Sequence, residues 1–115
     1  MHELSITREI LDIILDAAGR NNAKSVESVN IELGQLSTFD EESINFYFEI
    51  LSRDTLAEGA KLIFKRMPAI AKCKKCDRDF ELGDVFFSSC PLCGSTEYEV
   101  VSGDAVKVVN LNIED

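Results

Sequence analysis

The sequence predicts an α+β protein: a small domain of two helices and a three-stranded sheet, with an inserted four-cysteine zinc-ribbon-like domain. Three observations predict it. Apolar residues recur at helical spacing from Leu4 to Ala18 and again from Ile44 to Leu51. β-rich runs lie at Val29–Leu33 and Val106–Ile113. Between the second helix and the last strand stand two Cys-x-x-Cys pairs, Cys73/Cys76 and Cys90/Cys93, thirteen residues apart.

The first helix has two apolar stripes, Ile6-Ile10-Ile13-Ala17 and Leu4-Leu11-Ile14-Ala18, and Gly19 to Asn22 ends it. Val29, Ile31 and Leu33 alternate with Asn30 and Glu32, as in a half-buried strand that stops at Gly34. Thr38-x-x-Glu41 reads as a capping box opening a second helix. Ile44, Tyr47, Phe48 and Leu51 line that helix's buried face. Glu58-Gly59 makes a turn, and Leu62 and Phe64 mark a second strand. Met67-Pro68 opens a stretch of short strands and turns that lasts to about Gly103. The run Val106, Val108, Val109, Leu111, Ile113 then returns to the first sheet. Its apolar parity changes between Val108 and Val109, so either both faces are buried or a bulge sits there. The expected domains are residues 1–67 plus 104–115, and residues 68–103, with hinges near Met67-Pro68 and Gly103.

The cysteine spacing is the strongest chemical signal. Two residues between cysteines let a tight turn aim both sulfurs at one ion, and two such turns complete a tetrahedron that Zn(II) accepts. Cys73, Cys76, Cys90 and Cys93 are therefore the expected zinc ligands, although a rubredoxin-type iron centre has the same four ligands. Pro91 fixes one backbone angle of the second turn, and Gly94 permits a positive φ after the ligand. Phe80, Val85, Phe86 and Phe87 are the expected local core. About 35 residues are too few to fold without a staple, so the metal is structural.

The net charge of −9 argues against a nucleic-acid binder, because phosphate neutralisation needs bases. The charge is uneven. Residues 1–60 hold twelve acids and four bases, whereas Lys61 to Arg78 hold seven bases and only Asp77 as acid. Lys72, Lys74, Lys75 and Arg78 would offset the −2 of a zinc tetrathiolate. That basic run is the support for an alternative, a zinc-ribbon module binding nucleic acid or protein. No apolar run is long enough to span a membrane, and the first residues do not read as an export signal. The expected setting is cytoplasmic, with no membrane partner. Four protein ligands leave no open metal position, and no HExxH motif or phosphate loop is present, so no enzyme activity is expected.

His2 is the single histidine. A terminal histidine is ordinarily just exposed. Its neighbours allow more: the Met1 amine, the His2 amide nitrogen and an imidazole nitrogen can chelate one Ni(II) or Cu(II) in fused rings. Glu3 adds a carboxylate or its own amide.

In order along the chain, these residues resemble the HypA/HybF family of hydrogenase-maturation nickel chaperones. The resemblance rests on Met1-His2-Glu3-Leu4-Ser5, Leu33-Gly34-Gln35-Leu36-Ser37, Phe46 to Glu49, Thr55 to Leu62, both cysteine pairs and Cys90-Pro91-Leu92-Cys93-Gly94. It implies nickel binding through His2 and the adjacent backbone of Met1, with Glu3 assisting delivery, and structural zinc at the four cysteines. It also implies a maturation GTPase as partner and the hydrogenase large subunit as recipient, and in some bacteria urease. The chain is expected to act as a monomer. Nickel as cargo and the partners rest on the resemblance, not on spacing or composition.

Overall fold

A computed structural model of the chain describes residues 2–82 and 89–114, with the backbone alone at His2. The elements are α1 (His2–Arg20), β1 (Ser25–Gly34), α2 (Glu41–Leu51), β2 (Lys61–Met67), β3 (Ala69–Cys73), β4 (Asp79–Leu82), β5 (Tyr98–Ser102) and β6 (Val106–Glu114). They form two three-stranded sheets, ordered β2-β1-β6 and β4-β3-β5. The α+β class and the return of the last strand to the first sheet are as the sequence predicts.

The chain packs as two units. One comprises residues 1–32, 38–65 and 107–115, and the other residues 33–37 and 66–106. The sequence-based boundaries left residues 33–37 with the first domain; their packing puts them in the second unit. The chain therefore passes between units four times rather than two.

In the first unit, α1 buries Thr7, Ile10, Leu11, Ile14 and Ala18. Ile13 of the other stripe is 52% exposed. Thr7, which a hydrophobicity pattern passes over, sits in the core because its hydroxyl donates to the Glu3 carbonyl one turn back. That bond removes the cost of burying a hydroxyl. On β1, Val29, Ile31 and Leu33 are buried as alternation requires.

The start of α2 corrects the capping-box expectation. The N-cap is Asp40, in extended conformation at φ −94 and ψ 121, and not Thr38. Its carboxylate accepts from the Ser43 amide at 3.2 Å and from the Ser43 hydroxyl at 2.8 Å. A carboxylate there meets both the free first-turn donors and the positive end of the helix dipole, which a threonine hydroxyl does less well. Ile44 and Phe48 are buried, while Tyr47 and Leu51 are half-buried.

β6 lies against β1 through paired polar side chains. Asn30 donates to Asn110 at 2.6 Å, and Asn112 donates to Ser28 at 2.8 Å. Further along, the Gly34 amide donates to the Ala105 carbonyl at 2.9 Å. Along β6 the half-buried positions are 106 and 108, then 111 and 113, so the buried side changes where the apolar parity does. Val109, at the change of parity, is 44% exposed, so the alternative of two buried faces does not hold.

In the second unit, β3 pairs antiparallel with β4 (Ala71 opposite Phe80) and with β5 (Cys73 opposite Tyr98). Its core is Ala69, Ala71, Cys73, Phe80, Leu82 and Cys90, with Leu36, Cys76 and Tyr98 packed against it. Phe80 takes its predicted place; Val85, Phe86 and Phe87 lie outside the described residues.

Residues 34–37 are stitched into this unit. The Gln35 amide donates to the Met67 carbonyl at 2.8 Å, and the Leu36 amide to the Gly103 carbonyl at 2.7 Å. The Gln35 side chain accepts from the Ala69 amide at 3.2 Å. The backbones are so close that a Cβ on Gly34 would lie 2.0 Å from the Gly103 oxygen. Only glycine fits at position 34. The predicted hinges at Met67-Pro68 and Gly103 are the residues that these bonds hold.

Candidate metal centre

The two cysteine pairs are built alike. In the first, the Asp77 amide donates to the Cys73 carbonyl at 3.0 Å, and the Cys73 amide to the Arg78 carbonyl at 2.9 Å. In the second, the Gly94 amide donates to the Cys90 carbonyl at 2.8 Å, and the Cys90 amide to the Ser95 carbonyl at 2.9 Å. Each turn passes through a left-handed residue just after its second cysteine: Asp77 at φ 61 and Gly94 at φ 76. The sequence pointed to Gly94; Asp77 was missed, although aspartate is one of the few side chains that tolerates this region.

This geometry aims backbone amides at the sulfurs. Lys75 and Cys76 N–H groups face Cys73, and Leu92 and Cys93 N–H groups face Cys90. The Arg78 N–H faces Cys76, and the Ser95 N–H faces Cys93. The donors stand at equivalent positions in both turns, where they would stabilise thiolates.

The four sulfurs lie within 4.8 Å of one another. Cys73 and Cys93 are 3.5 Å apart, as are Cys76 and Cys90. A tetrahedron with metal–sulfur bonds near 2.3 Å has edges of about 3.8 Å, so the cluster has the size of one ion's coordination shell. Cys73 and Cys90 are buried, Cys76 is half-buried and Cys93 is exposed. Proton affinity is divided unevenly. The Cys76 amide, the strongest influence on Cys73, helps hold that thiol down at about 6. At Cys76 the Arg78 amide favours the thiolate, but burial and the neighbouring thiols outweigh it and push the group to about 12. One thiolate among four close sulfurs makes the next harder to form, a conflict that a divalent cation removes.

Of the bases expected to offset the centre's charge, Lys72 is 3.5 Å from Asp77 and partly spent on it. Lys74, Lys75 and Arg78 are exposed.

At the amino terminus, α1 begins at His2; Met1 and the His2 side chain lie outside the described residues. Glu3 is half-buried, and its carboxylate accepts from the Asp40 amide at 3.3 Å. The fold thus brings Asp40 beside Glu3, a neighbour 37 residues away that no local pattern announced.

A two-helix α+β domain joined to a closed four-sulfur centre defines a small metal-binding protein, not a catalyst with an open metal position. The chain belongs to the HypA family, described as hydrogenase/urease nickel incorporation metallochaperones, whose profile it matches over residues 1–113. It is 39% identical over 114 residues to the hydrogenase maturation factor HypA of Geobacter metallireducens, covering 99% of this chain and all of that one. It is 42% identical over 94 residues to the factor of the same name from Caldanaerobacter subterraneus, covering 82% of each. Its fold is similar to the solution structure of the Ni metallochaperone HypA from Helicobacter pylori, with a TM-score of 0.73, 21% identity and 97% of each chain covered. The family's work is nickel incorporation rather than enzymatic catalysis.

Proposed function

We propose that this protein carries one Ni(II) at its own amino terminus for the maturation of a hydrogenase, and that Cys73, Cys76, Cys90 and Cys93 hold a structural Zn(II). The observation that carries the nickel reading is that α1 begins at His2. The first four amides of a helix have no partner inside it. The His2 and Glu3 amides can therefore enter a chelate without breaking a helical bond. The Met1 amine, the His2 amide and the His2 imidazole supply three nitrogens, a set that suits square-planar Ni(II). The fourth donor is the Glu3 backbone or carboxylate, or a group from a partner.

The zinc reading rests on four thiols at tetrahedral spacing with amides aimed at them. Structural zinc contributes on the order of 10–16 kcal/mol in zinc-finger peptides, comparable to the whole stability of a domain. A terminal, open site suits a cargo ion, and a closed one suits an ion that stays. Delivery is to the hydrogenase large subunit, with a maturation GTPase as partner, in the cytoplasm and as a monomer. The relatives' description as hydrogenase maturation factors supports the hydrogenase as recipient.

The test is nickel titration of untagged protein beside a form with two residues added before Met1 and a His2→Ala variant. The extension leaves every side chain in place but removes the free amine from the chelate. Loss of one equivalent of nickel in both forms is expected, with zinc content unchanged. Unaltered nickel uptake by either form would move the site elsewhere.

A further inference from the structure

The four sulfurs of the cysteine-bearing unit differ in access. Cys73 stands on β3 opposite Tyr98 of β5 and is buried. Cys90 is buried in the same core, and Cys76 is half-buried against it. Cys93 is exposed, and its neighbours Pro91, Leu92 and Gly94 are exposed with it. A Cβ on Gly94 would meet no atom within 4 Å, so the space beside Cys93 is open.

The sulfurs also differ in their amide donors. Among the described residues, Cys73 faces two N–H groups, those of Lys75 and Cys76, and Cys90 faces two, those of Leu92 and Cys93. Cys76 and Cys93 face one each, from Arg78 and Ser95. An N–H that donates to a thiolate draws charge from it and lowers its nucleophilicity. Cys93 alone combines open access with a single donor. Its sulfur lies 3.5 Å from that of Cys73, across the two turns.

We infer that Cys93 is a modification site, the sulfur at which peroxides and thiol-directed electrophiles attack the metal-loaded unit, with Cys73 as its resolving partner. The inference rests on the four-cysteine zinc reading and adds a regulation to that site. The Cys93 thiolate attacks one oxygen of the peroxide. The O–O bond breaks, hydroxide leaves, and Cys93 becomes a sulfenic acid. The Cys73 thiolate then attacks the Cys93 sulfur; the S–S bond forms, the S–O bond breaks, and a second hydroxide leaves. The two sulfurs together lose two electrons, and the peroxide is reduced to two hydroxides, which take up two protons as water. With two of its four sulfurs in a disulfide, the site no longer closes around an ion, and the metal is released.

The experiment uses the full chain loaded with zinc. Its metal content is measured first, so a failure of the zinc reading shows before any reagent is added. N-ethylmaleimide or hydrogen peroxide is then supplied below one equivalent. Peptide mass mapping reads which cysteine has reacted, and a chromophoric chelator follows released metal. Modification of Cys93 at least about tenfold faster than of the other three is expected, with zinc release in step. The first peroxide product should be a Cys73–Cys93 crosslink that dithiothreitol reverses. Cys93→His keeps a nitrogen ligand but no thiol, and should hold zinc against the same peroxide at least about tenfold longer. Should Cys93→His take up no zinc, the mapping of the unaltered chain decides alone. Maleimide found first on Cys76, or spread evenly over the four cysteines, overturns the inference whatever metal is bound. A first disulfide formed within one Cys-x-x-Cys pair overturns the role given to Cys73.

Discussion

Asp77 and Gly94 occupy the same place in two matching turns, each one residue past a cysteine ligand and each left-handed, at φ 61 and φ 76. One position is glycine and the other is not. The difference is tolerable because aspartate enters this region at lower cost than most side chains, and Asp77 also meets Lys72 at 3.5 Å.

The asymmetry predicts unequal responses. Gly94→Val should destabilise the zinc-bearing unit by roughly 1–2 kcal/mol, since a branched side chain is forced into the left-handed region. Asp77→Gly should lie within about 0.5 kcal/mol of the parent, because relief of backbone strain is offset by greater freedom in the unfolded chain and by loss of an exposed ion pair. Urea unfolding of zinc-loaded protein measures both; a loss at Asp77→Gly as large as that at Gly94→Val would contradict this reading.

Removing the metal should separate the two units. Chelation, or Cys93→Ala, should speed amide exchange across β3, β4 and β5 while α1 and the buried part of β1 stay protected, because the metal joins otherwise small hydrophobic elements. The Leu36 amide should go with the cysteine-bearing unit, since it is bound to Gly103. Persistent protection at Ala71 and Phe80 in the metal-free protein would count against a structural ion.

Zinc uptake should weaken as pH falls, because the thiols must give up their protons to the metal. In the folded unit Cys73 is lowered from 9.0 to about 6, chiefly by the Cys76 amide. A lowered folded value favours the folded state above the unfolded value, and that contribution is lost as pH falls through about 6. Since the metal-free unit is expected to lose its fold, uptake starts from ordinary thiols, and close to four protons should be displaced at about pH 7.5. Calorimetry in buffers of different ionisation enthalpy counts the protons. A release well below four would show that the first cysteine turn already forms without metal.

The α2 cap gives a sharp contrast between neighbours. Asp40→Ala should cost about 1 kcal/mol, the usual loss when an N-cap carboxylate is removed. Thr38→Ala should change stability by less than about 0.5 kcal/mol, as at an ordinary surface site. Thermal unfolding of the two variants decides whether Asp40 alone caps the helix.

The centre was legible in the sequence because its chemistry is local. Two residues between cysteines suffice to set each turn, and Gly94 announces its own backbone angle. The core faces of β1 and α2 were legible because alternation and helical period survive wherever one face meets a core. Thr7 and Asp40 were not legible. A threonine is buried only if its hydroxyl finds a partner, here the Glu3 carbonyl. A choice between Thr38 and Asp40 as N-cap depends on where the preceding segment delivers the chain.

By itself, then, the sequence determined the α+β class, the four sulfur ligands, the return of the last strand and the family. These follow from periodicity, spacing and motif order, which are properties of neighbouring residues. Only the tertiary structure decided that residues 33–37 pack with the cysteine-bearing unit, that Thr7 is buried, and that Glu3 meets Asp40. Each of these depends on segments distant in the chain meeting at one point, where hydrogen-bond satisfaction and close packing choose between arrangements that local pattern leaves equal.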